Sequence, residues 1–533
     1  MYRLLCTAAL AGGVLGATGA VAQTPSVPPT APAAPAAAPA APASDLGFFG
    51  RFYKAYADEW GQPPASDPNA PPSRRPAPFP LQPQTSPPMP FTEWPFGGGN
   101  AIGATIPSSV DSPLMTALAP TAFGQFLNDW HTQIYGWINP GFNVSTSSQR
   151  KGGNYPAAYA YDPNTIWLDQ AVLIFERLPD TVQQDHIDWG FRVSPIWGET
   201  YRYTTALGFA SYQLQHKNQE FGFDVPMIYG ELYIPNVMQG LLLRLGRYIS
   251  VPDIEAQLAP NNYMYSHSMT YAFDNYTNTG LMASLQATKN LLLQLGVTVG
   301  TDSAGWDAGP LRAPGTWSNN DPGVQPSLTA CLRYQTDSAY DTVYTCANGI
   351  NNGKWGYNNL NQYTLTYYHK FNEQWHLSFE MWDMHEYDTP NAAAYGEPNQ
   401  VAGNFGNLGQ LVNGPFGAWC RVGQVSCTSN EYSFLAYLNY SWDALNNLSF
   451  RLEYFDDASG QRTGIKDRYL NPAIGWQHWF SPTVMIRPEI AMYNALDRKS
   501  FNRNGQGNIG SPATGGATAM SEVVASMDLI WHF

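Results

Sequence analysis

IYGELYI (Ile228–Ile234), LLLRLG (Leu241–Gly246), LMASLQAT (Leu281–Thr288) and LLLQLGVTV (Leu291–Val299) follow one another within Met227–Gly300. In each run every second residue is apolar. Leu281, Ala283, Leu285 and Ala287 alternate with Met282, Ser284, Gln286 and Thr288, and Leu291 to Val299 repeats the pattern. Successive side chains of a strand point to opposite faces, so each run has one apolar and one mixed or polar face. A soluble sandwich gives the same alternation with its apolar face turned inward. What separates the two readings lies at the ends of the chain.

Met1–Ala22 reads as a secretory signal, with Arg3, an apolar stretch Leu4–Val14 and the cleavage site Ala20-Val21-Ala22. At the other end Val523, Ala525, Met527, Leu529, Trp531 and Phe533 alternate with polar or mixed neighbours. A last strand ending in Phe resembles the signal read by the outer-membrane barrel assembly machinery, and Trp531 and Phe533 are its candidates. Export together with such a strand predicts an all-β protein, a transmembrane antiparallel up-and-down β-barrel. Its apolar face would meet outer-membrane lipid and lipopolysaccharide, and its polar face would line a lumen.

Composition agrees. The 533 residues are 14% aromatic and only 13% charged, with 32 Tyr and 17 Trp to supply interfacial girdles. A mean hydropathy of −0.30 does not oppose a barrel, since half of each strand is polar. The net charge of −14 argues against nucleic acid as a partner.

Residues 23–129 form a Pro/Ala-rich extension, read as a periplasmic lead-in with a partial plug of the lumen as an option. Within it Phe49, Phe52, Tyr53, Tyr56 and Trp60 fall on one stripe, which predicts a short amphipathic helix over 45–61. Residues 130–533 form the barrel. Short turns on one side and long loops on the other, with every strand paired, give about 14 strands. The number becomes 16 if Tyr203–Tyr212 belongs to a further hairpin. Met269–Ala287 reads as one long strand, and Ala304–Asn358 and His385–Asn430 read as outer loops. Cys331 and Cys346 share the first of these, Cys420 and Cys427 the second. Two disulfides within loops are the simple pairing for an exported chain, and the spacing fits no zinc pattern.

Parity turns Arg192, Glu231, Arg244, Glu380, Arg451, Glu453, Arg487, Glu489 and Asp528 inward, with Glu231 opposite Arg244. Arg and Glu two residues apart at 451/453 and 487/489 share a face. These charges either brace the wall or set a transverse field in a constriction. Val251–Ser268, with Asp253 and Glu255, is the loop expected to fold inward and narrow the pore. Arg247 falls on the outer face unless a bulge at Gly246 turns it. Asp383, His385, Glu386 and Asp388 form a candidate cation cluster or a solvated rim. No nucleophile elbow, zincin helix or P-loop is present, so neither an enzyme nor a cofactor is expected.

Several runs look like one family. They are YGWINPGFNVSTSS (Tyr135–Ser148), LDQAVLIFERLPDTVQQDHIDWGFR (Leu168–Arg192), GRYISVPDIEAQLAPNNYMYSHS (Gly246–Ser268), NNGKWGYNNLNQY (Asn351–Tyr363), and GQRTGIKDRY with GWQHWFSPTVMIRPEI (Gly460–Ile490). They resemble the group described as "putative beta-barrel porin-2, OmpL-like". The resemblance spans about Tyr135–Phe533 and the aromatic segment near Phe49–Trp60. It implies an outer-membrane barrel with a porin label and carries no set of substrate-binding residues. The expected function is a water-filled channel for passive diffusion of small hydrophilic solutes. The alternative is a closed barrel acting through its outer loops. The oligomeric state stays open, a homo-oligomer included.

Overall fold

The computed structural model describes residues 46–63, 71–76, 102–105, 112–147, 153–157, 159–204, 209–210, 213, 219–250, 253–306, 325–355, 359–391, 417–501 and 517–533. The signal and the Ala/Pro spacer lie outside them.

The strands run β1 (Gln133–Ser145), β2 (Ile166–Arg177), β3 (Asp188–Gly198), β4 (Gly222–Ile234), β5 (Leu241–Ile249), β6 (Thr277–Gln286), β7 (Leu291–Thr301), β8 (Ser327–Gln335) and β9 (Asp341–Ile350). They continue β10 (Asn361–Lys370), β11 (Trp375–Pro390), β12 (Ser426–Asp443), β13 (Asn446–Asp457), β14 (Asp467–Ser481), β15 (Val484–Ile486), β16 (Glu489–Asn494) and β17 (Ser521–His532). Each pairs antiparallel with its sequence neighbours, and β17 pairs back onto β1, so the sheet closes. β15 and β16 are halves of one wall strand: both pair with β14 and β17. Pro488 between them has no N–H to give to a ladder. The wall is therefore a closed, up-and-down barrel of sixteen strands.

The sixteen are not reached through Tyr203–Tyr212, since Tyr203 lies in a one-turn helix Tyr201–Thr204. They are reached through β8 and β9, inside the segment expected to be an outer loop. The outward positions of β8 are apolar, with Leu328, Leu332 and Tyr334 exposed. On β9 the outward Asp341, Val343, Thr345 and Ala347 and the inward Thr342, Tyr344, Cys346 and Asn348 are both mixed, so its alternation is weak. The cysteines are corrected with the strands. Cys331 and Cys346 pair as promised, but they face each other on one rung of the β8–β9 wall. Cys420 bonds Cys427, which is the second residue of β12. The first bond closes a sequence separation of 15, and its reduction is expected to lower the unfolding free energy by about 3 kcal/mol. A urea midpoint lower in a Cys331→Ser/Cys346→Ser variant than in the wild type, both without reductant so that Cys420–Cys427 stays closed, checks this.

Burial alternates along the strands. Leu245, Leu281, Leu295, Val297, Leu452, Ile474 and Ile490 stand exposed on the outer face, the one expected to meet lipid. The chain closes at Phe533, whose N–H donates to Gly136 O (2.9 Å) and whose carbonyl accepts from Gly136 N (3.1 Å). Gly136 allows this approach, because a Cβ there would lie 2.0 Å from Val172 O and 2.9 Å from the Phe533 ring.

The expected helix over 45–61 is α1 (Phe48–Glu59). It lies against the last strands. Tyr56 Oη donates to His532 O (2.5 Å), Gly61 N donates to Phe480 O (2.8 Å), and Thr483 Oγ1 donates to Glu59 (3.1 Å). Trp60 stacks on Phe480 at 5.4 Å. The end of the extension forms two further helices, α2 (Pro113–Leu118) and α3 (Ala122–Asp129). Arg51 ties α1 to α2 through Ala117 O at 2.8 and 3.0 Å.

Candidate functional site: the lumen and its inward loop

The segment between β5 and β6 turns into the barrel. The expected strand Met269–Ala287 begins only at Thr277. Before it comes one helical turn, α4 (Met269–Ala272), whose start is capped by Ser268 Oγ accepting from Tyr271 N (3.0 Å). The reason lies in Tyr271, Phe273 and Tyr276. They do not alternate across a wall but pack together in an aromatic core with Tyr155, Tyr159, Tyr203 and Tyr265. His267 lies flat on Tyr159 at 4.0 Å and donates one bond from Nε2 to Ala256 O (2.9 Å). Burial pushes its imidazole down to about 3, so it stays neutral at physiological pH.

In a ring of sixteen, β5 and β6 stand half a turn from β13 and β14. The loop reaches those far strands. Arg451 of β13 donates to Ser266 O (2.7 Å), Glu453 of β13 accepts from Thr270 N (2.5 Å), and Gln477 of β14 donates to Asn262 O (3.3 Å). On one side it also meets β11, where Glu380 accepts from Ile254 N (2.7 Å). On the other it meets Glu489, which accepts from Ser266 N (2.9 Å), and Gln170 of β2, which donates to Gln257 O (2.5 Å). The inward fold expected of Val251–Ser268 is thus present over its described part, and it crosses the whole lumen. From Asp253 to Asn278 every residue is buried.

The charged positions expected on the inner wall are all buried, and their partners are specific. Arg244 and Glu231 oppose each other across β4–β5 and pair at 2.8 Å. Arg192 pairs with Glu176 at 2.5 Å, and Tyr135 donates to the same carboxylate at 2.7 Å. Arg451 does not pair with Glu453; it approaches Glu255 at 3.5 Å. Glu255 also accepts from Ser268 N (2.9 Å) and from the Tyr437 hydroxyl. Arg487 does not pair with Glu489 either. It grips Asp528 at 2.5 Å and donates to the loop carbonyls of Ala259 (2.7 Å) and Asn262 (3.0 Å). These same-strand neighbours therefore bind the loop, and Arg487 also Asp528 of the adjacent β17, rather than one another.

Arg247 occupies a register position opposite exposed Ile228, yet it is buried on Asp224 at 2.7 Å. Gly246 before it has φ +140°, the break in regular geometry that the sequence left open. Asp383, His385, Glu386 and Asp388 do not gather. Asp383 and His385 stand 3.9 Å apart, while Glu386 is buried against Gln461 (2.5 Å).

The other mouth carries a feature that sequence reasoning offered only as an option. Two pieces of the extension, residues 71–76 and 102–105, sit at the end where the short turns are. Arg74 donates to Val182 O (2.6 Å), Thr181 O (2.9 Å), Gln239 O (3.1 Å) and Tyr233 Oη (2.9 Å). Ile102 packs among Tyr233, Leu242 and Leu292 of the inner wall. Nothing in Arg74-Arg75 marks it as a clamp; only the contacts reveal it.

Among solved structures the chain resembles an anion-selective porin from Comamonas acidovorans, at 12% identity, over 75% of this chain and 99% of that one, with a TM-score of 0.45. It also resembles the outer membrane channel DcaP of Acinetobacter baumannii, at 8% identity, over 75% and 97%, with a TM-score of 0.42. The selectivity named for the first is its own. No curated protein matches. The family "Putative beta-barrel porin-2, OmpL-like" matches residues 131–533, all of the strands described above, and the chain belongs to it.

Proposed function

We propose that this barrel is a non-enzymatic outer-membrane channel for passive diffusion of small hydrophilic solutes, and that the β5–β6 loop defines the route through it. The observation that carries the reading is a closed wall with an apolar outer face and a charged inner face, crossed at mid-lumen by one polar and aromatic loop. Sixteen strands are enough to enclose an aqueous channel. On this reading Arg192, Glu231, Arg244, Asp253, Glu255, Glu380, Arg451, Glu453, Arg487 and Glu489 border the route or hold the loop that borders it. The extension occupies the periplasmic side, and Trp531 and Phe533 address the barrel assembly machinery. Lipid and lipopolysaccharide surround the wall, and assembly into homo-oligomers is compatible with it.

Planar bilayers containing the refolded chain are expected to show discrete conductance steps. Liposomes carrying it should admit sugars and amino acids with a size cutoff. Silence at every voltage together with no uptake would sink the channel reading. That result would favour a second one, a closed barrel acting through its long loops. The observation on its side is the burial of Asp253–Asn278 together with the Arg74–Ile102 arm at the other mouth.

A further inference from the structure

Three carboxylates meet where the inward loop leaves and rejoins the wall. Asp253 lies near the beginning of the loop, Asp274 near its end, and Glu380 on β11. One oxygen from each lies within 4.8 Å of the others, and all three residues are buried. Among the described residues none of the three forms an ion pair, whereas Glu255 and Asp528 nearby have Arg451 and Arg487. Their hydrogen bonds are few. Asp274 accepts from Asn275 N (2.6 Å) and from Gln362, and Glu380 accepts from Ile254 N (2.7 Å).

Asp253 is 7% exposed, and its Oδ1 is buried with no hydrogen-bond partner at all. The Tyr368 hydroxyl, on the neighbouring strand β10 and 2% exposed, is also without a partner. A buried carboxylate oxygen left unpaired is costly unless a proton or a cation meets it.

The spacing admits one shared ion. Oxygens around Ca2+ sit at about 2.4 Å from the ion, so two ligands of one ion are at most about 4.8 Å apart. An all-oxygen set without His or Cys suits a hard cation rather than a transition metal. We propose that Asp253, Asp274 and Glu380 hold one Ca2+, and that the ion joins both ends of the inward loop to β11 at a single point. Its role is then mechanical: it fixes the loop that crosses the lumen.

The test uses the full chain refolded in detergent, stripped with EGTA and titrated with CaCl2 by calorimetry. One Ca2+ per chain is expected. Asp253→Asn and Glu380→Gln should each weaken binding by roughly tenfold or more, since each removes a charged ligand. The thermal midpoints should also cross. In EGTA the two variants unfold above the wild type, because a repelling carboxylate is gone. In Ca2+ the wild type unfolds above both. If Glu380→Gln does not refold, Asp253→Asn, on the loop, carries the test alone. No calcium binding at millimolar CaCl2, or binding and midpoints that neither variant changes, would overturn the proposal and leave a cluster that only shares protons.

Discussion

Replacing Ile254–Tyr271 with a short Gly-Ser link is expected to raise single-channel conductance roughly tenfold, toward that of the aqueous channel a sixteen-strand wall can enclose. The expectation follows from where the loop goes. It leaves β5, reaches β13 and β14 half a turn around the ring, and returns to β6. A segment lying along one wall would narrow the lumen from one side; this one divides it. The aromatic core of Tyr159, Tyr203, Tyr265 and Tyr271 fills the space beside it. The sixteen strands make their ladder bonds without the loop, so the shortened chain should still run as a folded, heat-modifiable band on gels. Conductance unchanged within about twofold in such a folded variant would mean that solutes pass elsewhere, and the loop would lose its place in the route.

Arg487→Met should be the most damaging single substitution in the wall, lowering the unfolding free energy by about 3–5 kcal/mol. Arg487 is 1% exposed and Asp528 equally buried, so removing the guanidinium leaves a carboxylate with neither water nor a counter-charge. The two carbonyls of Ala259 and Asn262 lose their donor as well. The sign of a second substitution isolates the cause. Asp528→Asn added to Arg487→Met removes the stranded charge and should recover part of the loss. Equilibrium urea unfolding of the three variants reads this directly. A cost under about 1 kcal/mol for Arg487→Met would mean the pair behaves like a solvated surface bridge.

How far the sequence could be read depended on the range of each interaction. Period-two runs such as Leu291–Val299 and the terminal strand are local, and they found most of the wall. Glu231 and Arg244 were placed opposite each other because a tight turn sets the register between them, and the ion pair is there. β9 hides for the opposite reason: Asp341 and Thr345 on its outer face and Thr342 and Tyr344 on its inner one give little contrast between faces. Arg451 and Arg487 were assigned to the correct face but not to the correct partners, because Glu255 and Asp528 come near only after a loop or the last strand arrives. Asp274 was not singled out at all. It sat in a run of alternating aromatics that reads as strand, whereas Tyr271, Phe273 and Tyr276 pack against other rings in the lumen. No local pattern encodes a residue whose partner Gln362 lies 88 positions away.

The seat of α1 has a consequence in time. Apart from Ala117 of α2, the groups that receive this helix are Phe480, Thr483, Trp531 and His532, all from the end of the chain. Synthesis delivers the helix first and that part of its seat last. Until the last strands arrive, Phe48–Glu59 has only α2 to lie against, and Tyr56 has neither the Trp531 ring beside it nor His532 O to bond. Its seat is complete only when β17 has joined β1. The earliest-made piece of the folded molecule is thus the last to settle, and an undocked α1 marks a barrel that has not yet closed.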